Sequence, residues 1–152
     1  MKVLKSQEVL KELGDVNCAI DKLLHKTRGY DHFNECDHYV SYDESSPEEC
    51  LLENEIHKIL ESLVNVRCSI SYLQAPIKES GHLYKNSRGR YVLGEHEFTC
   101  GSSIEVCIFD EGNERYEWDA TRIEHDGDDY YAVGHMGVCL KGIEARIRDL
   151  SE

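Results

Sequence analysis

Residues 46–76, SPEECLLENEIHKILESLVNVRCSISYLQAP, contain the start, the body and the end of one long helix. Ser46 is a favourable N-cap residue, Pro47 suits the first helical position, and Glu49 completes a capping box three residues after the cap. Pro76 predicts the end of the helix. Between them, apolar residues recur at alternating steps of four and three, which is the period of an amphipathic helix. They are Leu52, Ile56, Ile59, Leu63, Val66, Ile70 and Leu73.

A second apolar stripe of the same period precedes this helix. Its members are Val9, Leu13, Val16, Ile20 and Leu23. Ser6 is the expected N-cap of this first helix and Gly29 its expected stop. Two helices with one narrow stripe each predict an antiparallel hairpin within residues 1–75 that closes stripe on stripe. The same stripes would also serve a homodimer formed through the helices.

The two helices are joined by an unusual connector, residues 29–46. From Gly29 to His57 the sequence has nine acidic residues and no Lys or Arg, and the connector also holds Tyr30, Phe33, Tyr39 and Tyr42. Helix–helix connections usually need only about two to eight residues. The aromatic residues therefore predict an ordered, acidic docking loop.

The C-terminal part, residues 76–152, has the texture of a small all-β domain. Turn sequences at Asn86 to Gly89, DEGNE and DGDD separate short segments in which apolar and polar residues alternate. In one of them, Ile104 and Val106 flank Glu105, the pattern of a half-buried strand. Five or six such strands predict a small antiparallel β barrel or a strongly curled sheet. The expected fold class is α+β.

Composition restricts the partners and the compartment. The 152 residues carry a formal net charge of −13, which repels nucleic acid and anionic membranes and favours a basic protein surface as partner. Seven cysteines without paired spacing, and an N-terminus without a secretory signal, predict free thiols in the cytoplasm. No apolar run reaches the length of a membrane span. No motif indicates a cofactor.

Three enzymatic or metal sites are weaker alternatives. His32, Cys36 and His38, with Cys50 as a fourth ligand, could hold zinc, but their spacing matches no familiar zinc motif. His125 is the best candidate base for a hydrolase or nuclease, because neighbouring carboxylates would raise its pKa; the same segment also reads as a hairpin turn. A third set, Glu117, Asp119 and Glu124, suits a metal-dependent nuclease only if the carboxylates converge.

The C-terminal segment resembles a known family. The segments GRYVLGEHEFTCGSSIEV, WDATRIEHDG, DYYAVG and GIEARIR, between Gly81 and Leu150, are similar to the bacterial domain of unknown function 5348. The resemblance implies an origin in plasmids, integrative elements or phages, and it implies no particular activity. The helical part lies outside it.

These observations together predict a non-enzymatic, acidic inhibitor from a mobile element. It would dock on a basic surface of a nucleic-acid-handling protein, most concretely as an anti-CRISPR protein that blocks a Cas nuclease. The alternative is a dimeric structural adaptor whose small barrel binds a peptide. The expected partner-binding residues are Tyr39, Tyr42, Asp43, Glu44, Glu48, Glu49, Asp126, Asp128 and Asp129.

Overall fold

The computed structural model describes residues 3–27 and 40–150 and divides the chain into two compact units. Unit 1 spans Met1–Gln74 and contains the helices, and unit 2 spans Ala75–Glu152 and contains the strands. The fold is α+β with antiparallel strand pairing throughout. Among the described residues, neither helix has the length and hydropathy that crossing a membrane requires.

In the described part of unit 1, the helices are α1 (Ser6–Thr27) and α2 (Pro47–Gln74). At the start of α2, Ser46 is the N-cap as predicted, because its side-chain oxygen accepts from the backbone N–H of Glu49 at 3.4 Å. At the start of α1 the cap is Lys5 rather than Ser6, since the Lys5 carbonyl accepts the first helical hydrogen bond, from Val9, at 3.1 Å. The expected stop at Gly29 lies outside the described residues.

The two helices of unit 1 pack against each other in opposite chain directions. The Asn17 side chain donates to Ser71 at 3.0 Å, and the Gln74 side chain donates to the Leu10 carbonyl at 3.3 Å. Arg67 forms an ion pair with Asp21. Residue numbers therefore rise along α1 as they fall along α2.

Fewer apolar residues are buried between the two helices than the two apolar stripes predicted. Ile20, Leu24 and Leu60 form the buried centre of this contact. Val16 and Ile59, both assigned to the stripes, remain 47% and 57% exposed. Each stripe is wider than the surface that one neighbouring helix can cover, so only one edge of it is buried.

The described residues of unit 2 form eight strands. They are β1 (Ile77–His82), β2 (Tyr84–Lys85), β3 (Tyr91–Leu93), β4 (His96–Glu97), β5 (Ser103–Asp110), β6 (Arg115–His125), β7 (Tyr130–Ala132) and β8 (Glu144–Arg148). A five-stranded sheet has the order β1-β8-β5-β6-β7, and a three-stranded sheet has the order β2-β3-β4. The predicted turns do separate strands: the Asn86 turn joins β2 to β3, DEGNE joins β5 to β6, and DGDD joins β6 to β7.

The predicted barrel is wrong, because neither sheet closes. Closure of the larger sheet would require pairing between its edges, but β1 pairs with β8 and β7 pairs with β6. The three-stranded sheet instead shields the apolar residues that a closed barrel would enclose. Tyr91 and Leu93 from that sheet, with Phe98 just after it, join Ile104 and Val106 of the larger sheet in one buried cluster.

Candidate functional site

The stretch just before α2 is held in a compact turn. The Asp43 carboxylate accepts from the backbone N–H and the hydroxyl of Ser45, at 2.9 and 2.6 Å. The Ser45 hydroxyl, followed by its backbone N–H, lowers the pKa of Asp43 below its ordinary value. The Ser46 N–H donates to the Asp43 carbonyl at 3.0 Å. Asp43, which the sequence assigned to partner binding, therefore holds the turn.

That turn also changes the role of Glu49. In a complete capping box the Glu49 carboxylate would accept from the Ser46 N–H, but Asp43 already takes this hydrogen bond. Within the part of the chain that the structure describes, the side chains of Glu44, Glu48 and Glu49 make no hydrogen bond or ion pair with another residue. All three are exposed and available to a partner.

Tyr42 lies in the negative electrostatic field of the carboxylates around it. Tyr42 is 39% exposed, and the carboxylates of Glu53 and then Glu44 raise the pKa of its hydroxyl above the ordinary value, because they disfavour a nearby phenolate. Glu53 was missed by the sequence analysis, although it follows Glu49 by one helical turn and so lies on the same side of α2. We call Tyr42, Glu44, Glu48, Glu49 and Glu53 the acidic segment.

The second predicted group, Asp126, Asp128 and Asp129, lies in the turn between β6 and β7. Asp126 accepts from the backbone N–H groups of Asp128 and Asp129, at 2.9 and 3.0 Å. The Asp129 N–H, followed by that of Asp128, lowers the pKa of Asp126. Asp129 pairs with Lys85 at 2.8 Å, and this hydrogen bond lowers the pKa of Asp129. Of the three carboxylates, Asp128 alone is not used by the described fold.

The structure brings the predicted residues together in two separate sets. Tyr42, Asp43, Glu44, Glu48 and Glu49 share the start of α2 in unit 1, whereas the three aspartates of the β6–β7 turn belong to unit 2. Tyr39 lies outside the described residues.

His125 participates in the β6–β7 turn. Its Nδ1 accepts from the backbone N–H of Gly127 at 2.9 Å, and its ring makes an edge-to-face contact with the Tyr130 ring, with centroids 4.6 Å apart. Gly127 has φ +110°, a left-handed conformation that glycine adopts without strain. This geometry gives His125 a structural role in the turn that the sequence also indicated.

The three carboxylates considered for a nuclease do not converge. Glu117 and Asp119 occupy alternate positions on one face of β6, and Glu124 lies on the other face. Each has its own partner: Arg115 with Glu117, His135 with Asp119 and Arg122 with Glu124.

The proposed zinc ligands His32, Cys36 and His38 fall outside the described residues, so that site stays a prediction. Among residues 3–27 and 40–150, no group of three or more His, Cys, Asp or Glu side chains could hold a metal ion.

A buried ion cluster on the larger sheet was not anticipated. Glu105 is only 3% exposed and accepts from the side chains of Arg146 and Arg148, which lie on β8 beside it. The Arg146 guanidinium lies 4.1 Å from the centre of the Trp118 ring, a cation–π contact. The arginines are more than 40 residues away in sequence, so alternation within β5 could not indicate that Glu105 is buried.

The fold and the site define an acidic α+β protein with a helical unit, a β unit and a carboxylate-rich helix start. Residues 81–147 of the β unit match the family model described as Domain of unknown function (DUF5348). The match confirms the resemblance of the C-terminal half to that family, and the helical unit lies outside it. No curated protein and no solved structure matches the chain.

Proposed function

We propose that the protein is a non-enzymatic inhibitor that docks through its acidic segment on a basic surface of a nucleic-acid-handling protein. The most concrete version is an anti-CRISPR protein, encoded by a mobile element, that blocks a Cas nuclease. The Lys and Arg side chains that such a nuclease uses for phosphate would meet carboxylates instead.

One observation carries this proposal: the carboxylates at the start of α2 are concentrated and not neutralised by the fold. Glu44, Glu48 and Glu49 have no cationic partner among the described residues, and the raised pKa of Tyr42 reflects the field that the segment creates. Glu48 and Glu49 lie at the positive end of the α2 dipole, which stabilises their negative charge. Both side chains remain exposed.

The kind of side chain supports the same conclusion. Tyr42 combines an apolar ring with a hydroxyl, and tyrosine is enriched at the energetic centres of interfaces. An exposed tyrosine beside unpaired carboxylates suits a basic partner that also offers apolar contact. A surface that serves only solubility would not require the exposed tyrosine.

The proposal includes two finer points of architecture and location. The opposite chain directions of the α1–α2 contacts support a hairpin that residues 28–46 close, which would present the acidic segment at one end of the helices. The six described cysteines are all free thiols, which supports a reducing cytoplasm, where such a target would be found.

The test is inhibition of DNA cleavage by a panel of guide-loaded Cas nucleases. We expect the wild-type protein to inhibit at least one of them, and we expect the triple variant Glu44→Gln, Glu48→Gln, Glu49→Gln to bind about tenfold to a hundredfold more weakly. Glutamine preserves size and helix propensity, so far-ultraviolet circular dichroism should show unchanged helix content.

The matched control neutralises three exposed carboxylates of unit 2, Glu95, Glu111 and Glu114, with the same change to glutamine. It alters net charge equally but leaves the acidic segment intact, so inhibition should persist. Equal losses in both triple variants would show that only overall charge matters. Absence of inhibition across the panel would reject the anti-CRISPR version, and a salt-insensitive partner would reject the electrostatic docking itself.

A further inference from the structure

One side of the helical unit exposes a regular set of aliphatic side chains. Their exposed fractions lie between 40% and 57%, and they occur every seven residues along both helices. They are Val9, Val16 and Leu23 on α1, and Leu52, Ile59, Val66 and Leu73 on α2. We call these seven residues the aliphatic face.

All seven residues lie on the same side of the helix pair. On α1, Val16 and Leu23 directly precede the buried residues Asn17 and Leu24, and on α2, Ile59 directly precedes the buried residue Leu60. One residue is a rotation of about 100° around a helix axis. Because the two helices run in opposite chain directions, the same rotation turns both rows toward the same side of the pair.

The spacing of the aliphatic face indicates what it packs against. Apolar residues at a seven-residue period are the signature of helices that pack lengthwise against other helices, in coiled coils and four-helix bundles. All seven side chains of the face are aliphatic. The face therefore suits a rod-like, aliphatic surface of equal length.

We propose that this surface is the aliphatic face of a second copy of the chain, so that two helical units form a four-helix bundle. A twofold axis places identical patches against each other, which is the commonest arrangement of soluble homo-oligomers. The face matches itself under this operation because both of its rows have the same period and the same kind of side chain.

The charges along the rims of the face agree with this pairing. The outer rim of α1 carries Lys5, Glu12 and Lys26, a net positive set, and the outer rim of α2 carries Glu48 and Glu55. In a twofold bundle that places α1 of one copy beside α2 of the other, rims of opposite net charge adjoin. This pairing of charges would fix the relative orientation of the two copies, in addition to the aliphatic contact between them.

The dimensions of the face fit a stable dimer. Its row on α2, from Leu52 to Leu73, is about 32 Å long, its row on α1, from Val9 to Leu23, is about 21 Å long, and two adjacent helices make it about 20 Å wide. The resulting area of about 530 Å² per copy, to which the charged rims add, compares with the roughly 800 Å² per partner that a standard interface buries.

The test measures the mass of the full chain in solution. Sedimentation equilibrium, in reducing agent so that the free cysteines form no disulfides, should give twice the chain mass at micromolar concentration. The double variant Ile59→Gln, Val66→Gln should weaken dimerisation about a hundredfold, because it places two polar groups at the centre of the face. Circular dichroism should show that the variant keeps its helices.

Leu51→Gln is the matched control. Leu51 is 58% exposed, as much as Ile59, and it is on the same helix but about 80° from the aliphatic face. It should leave the dimer unchanged. A wild-type chain that stays monomeric at high micromolar concentration would overturn the proposal, and so would a dimer that the double variant does not weaken. Glu48 belongs both to the acidic segment and to the rim of the aliphatic face, so the two proposals are separated by their readouts, which are mass for the dimer and inhibition for the docking.

Discussion

Replacement of Glu105 by glutamine should destabilise the β unit strongly without changing its shape. Glu105 is 3% exposed, lies between β6 and β8 in the sheet, and holds the side chains of Arg146 and Arg148. Glutamine is nearly isosteric, so the variant creates no cavity. It removes the negative charge that balances two guanidinium groups.

The magnitude follows from the burial of the cluster. Removing one partner of a buried ion pair typically costs about 3–5 kcal/mol, because the remaining charge loses its compensation in a medium of low polarity. Arg146 and Arg148 are 25% and 13% exposed, so water can partly solvate them. The amide oxygen of the introduced glutamine can still accept one hydrogen bond. We therefore expect a loss near the lower end, about 3 kcal/mol.

The assay is urea unfolding at neutral pH, followed by the fluorescence of Trp118, which is the only tryptophan and lies against Arg146. The matched control is Glu124→Gln on the same sheet. Glu124 pairs with Arg122 at 2.9 Å, but the two side chains are 31% and 59% exposed, so the expected loss is below about 1 kcal/mol. A loss for Glu105→Gln no larger than the control would refute the reasoning.

Three further predictions follow from single contacts. Asn17→Leu should raise the stability of unit 1 by about 1 kcal/mol in thermal unfolding, because the buried side-chain oxygen of Asn17 has no partner among the described residues; a lower midpoint would contradict this. Glu53→Gln should lower the pKa of Tyr42 toward its ordinary value in an NMR titration of labelled tyrosine. An unchanged pKa would contradict the assignment of Glu53 as the main cause of the shift. The pKa of Asp126 is lowered by the N–H groups of Asp129 and then Asp128, so its stabilising effect should be complete above about pH 4 and lost as the pH falls through the lowered value. An NMR carboxyl titration of Asp126 at its ordinary pKa would contradict that turn.

The start and end of α2 were predictable because their chemistry is local. Ser46, Pro47 and Pro76 act within a few residues, and the helix spans Pro47–Gln74 as they indicate. The first strand, β1, has a weak apolar pattern, so local alternation did not predict it. It is held by pairing with β8, which joins residues about 70 positions apart. The barrel prediction failed for the same reason, since strand alternation shows which residues face a core but not which strands pair at long range.

The candidate site, too, was predictable only in part from local sequence. Acidic composition identified the start of α2, but it could not distinguish Asp43, whose carboxylate holds a turn, from Glu44, whose carboxylate is unpaired. The capping-box pattern assigned Glu49 a structural bond that Asp43 makes instead. Sequence patterns specify which groups are present, and competition among neighbouring acceptors decides which remain available.

The most direct test of the docking account is the salt dependence of binding to an inhibited, guide-loaded Cas nuclease, compared between the wild type and the Glu44→Gln, Glu48→Gln, Glu49→Gln variant. We predict that wild-type affinity falls steeply as salt rises, and that the variant binds weakly with a clearly shallower dependence on salt. Equal affinities and equal salt dependence for the two proteins would contradict the assignment of the acidic segment as the docking surface.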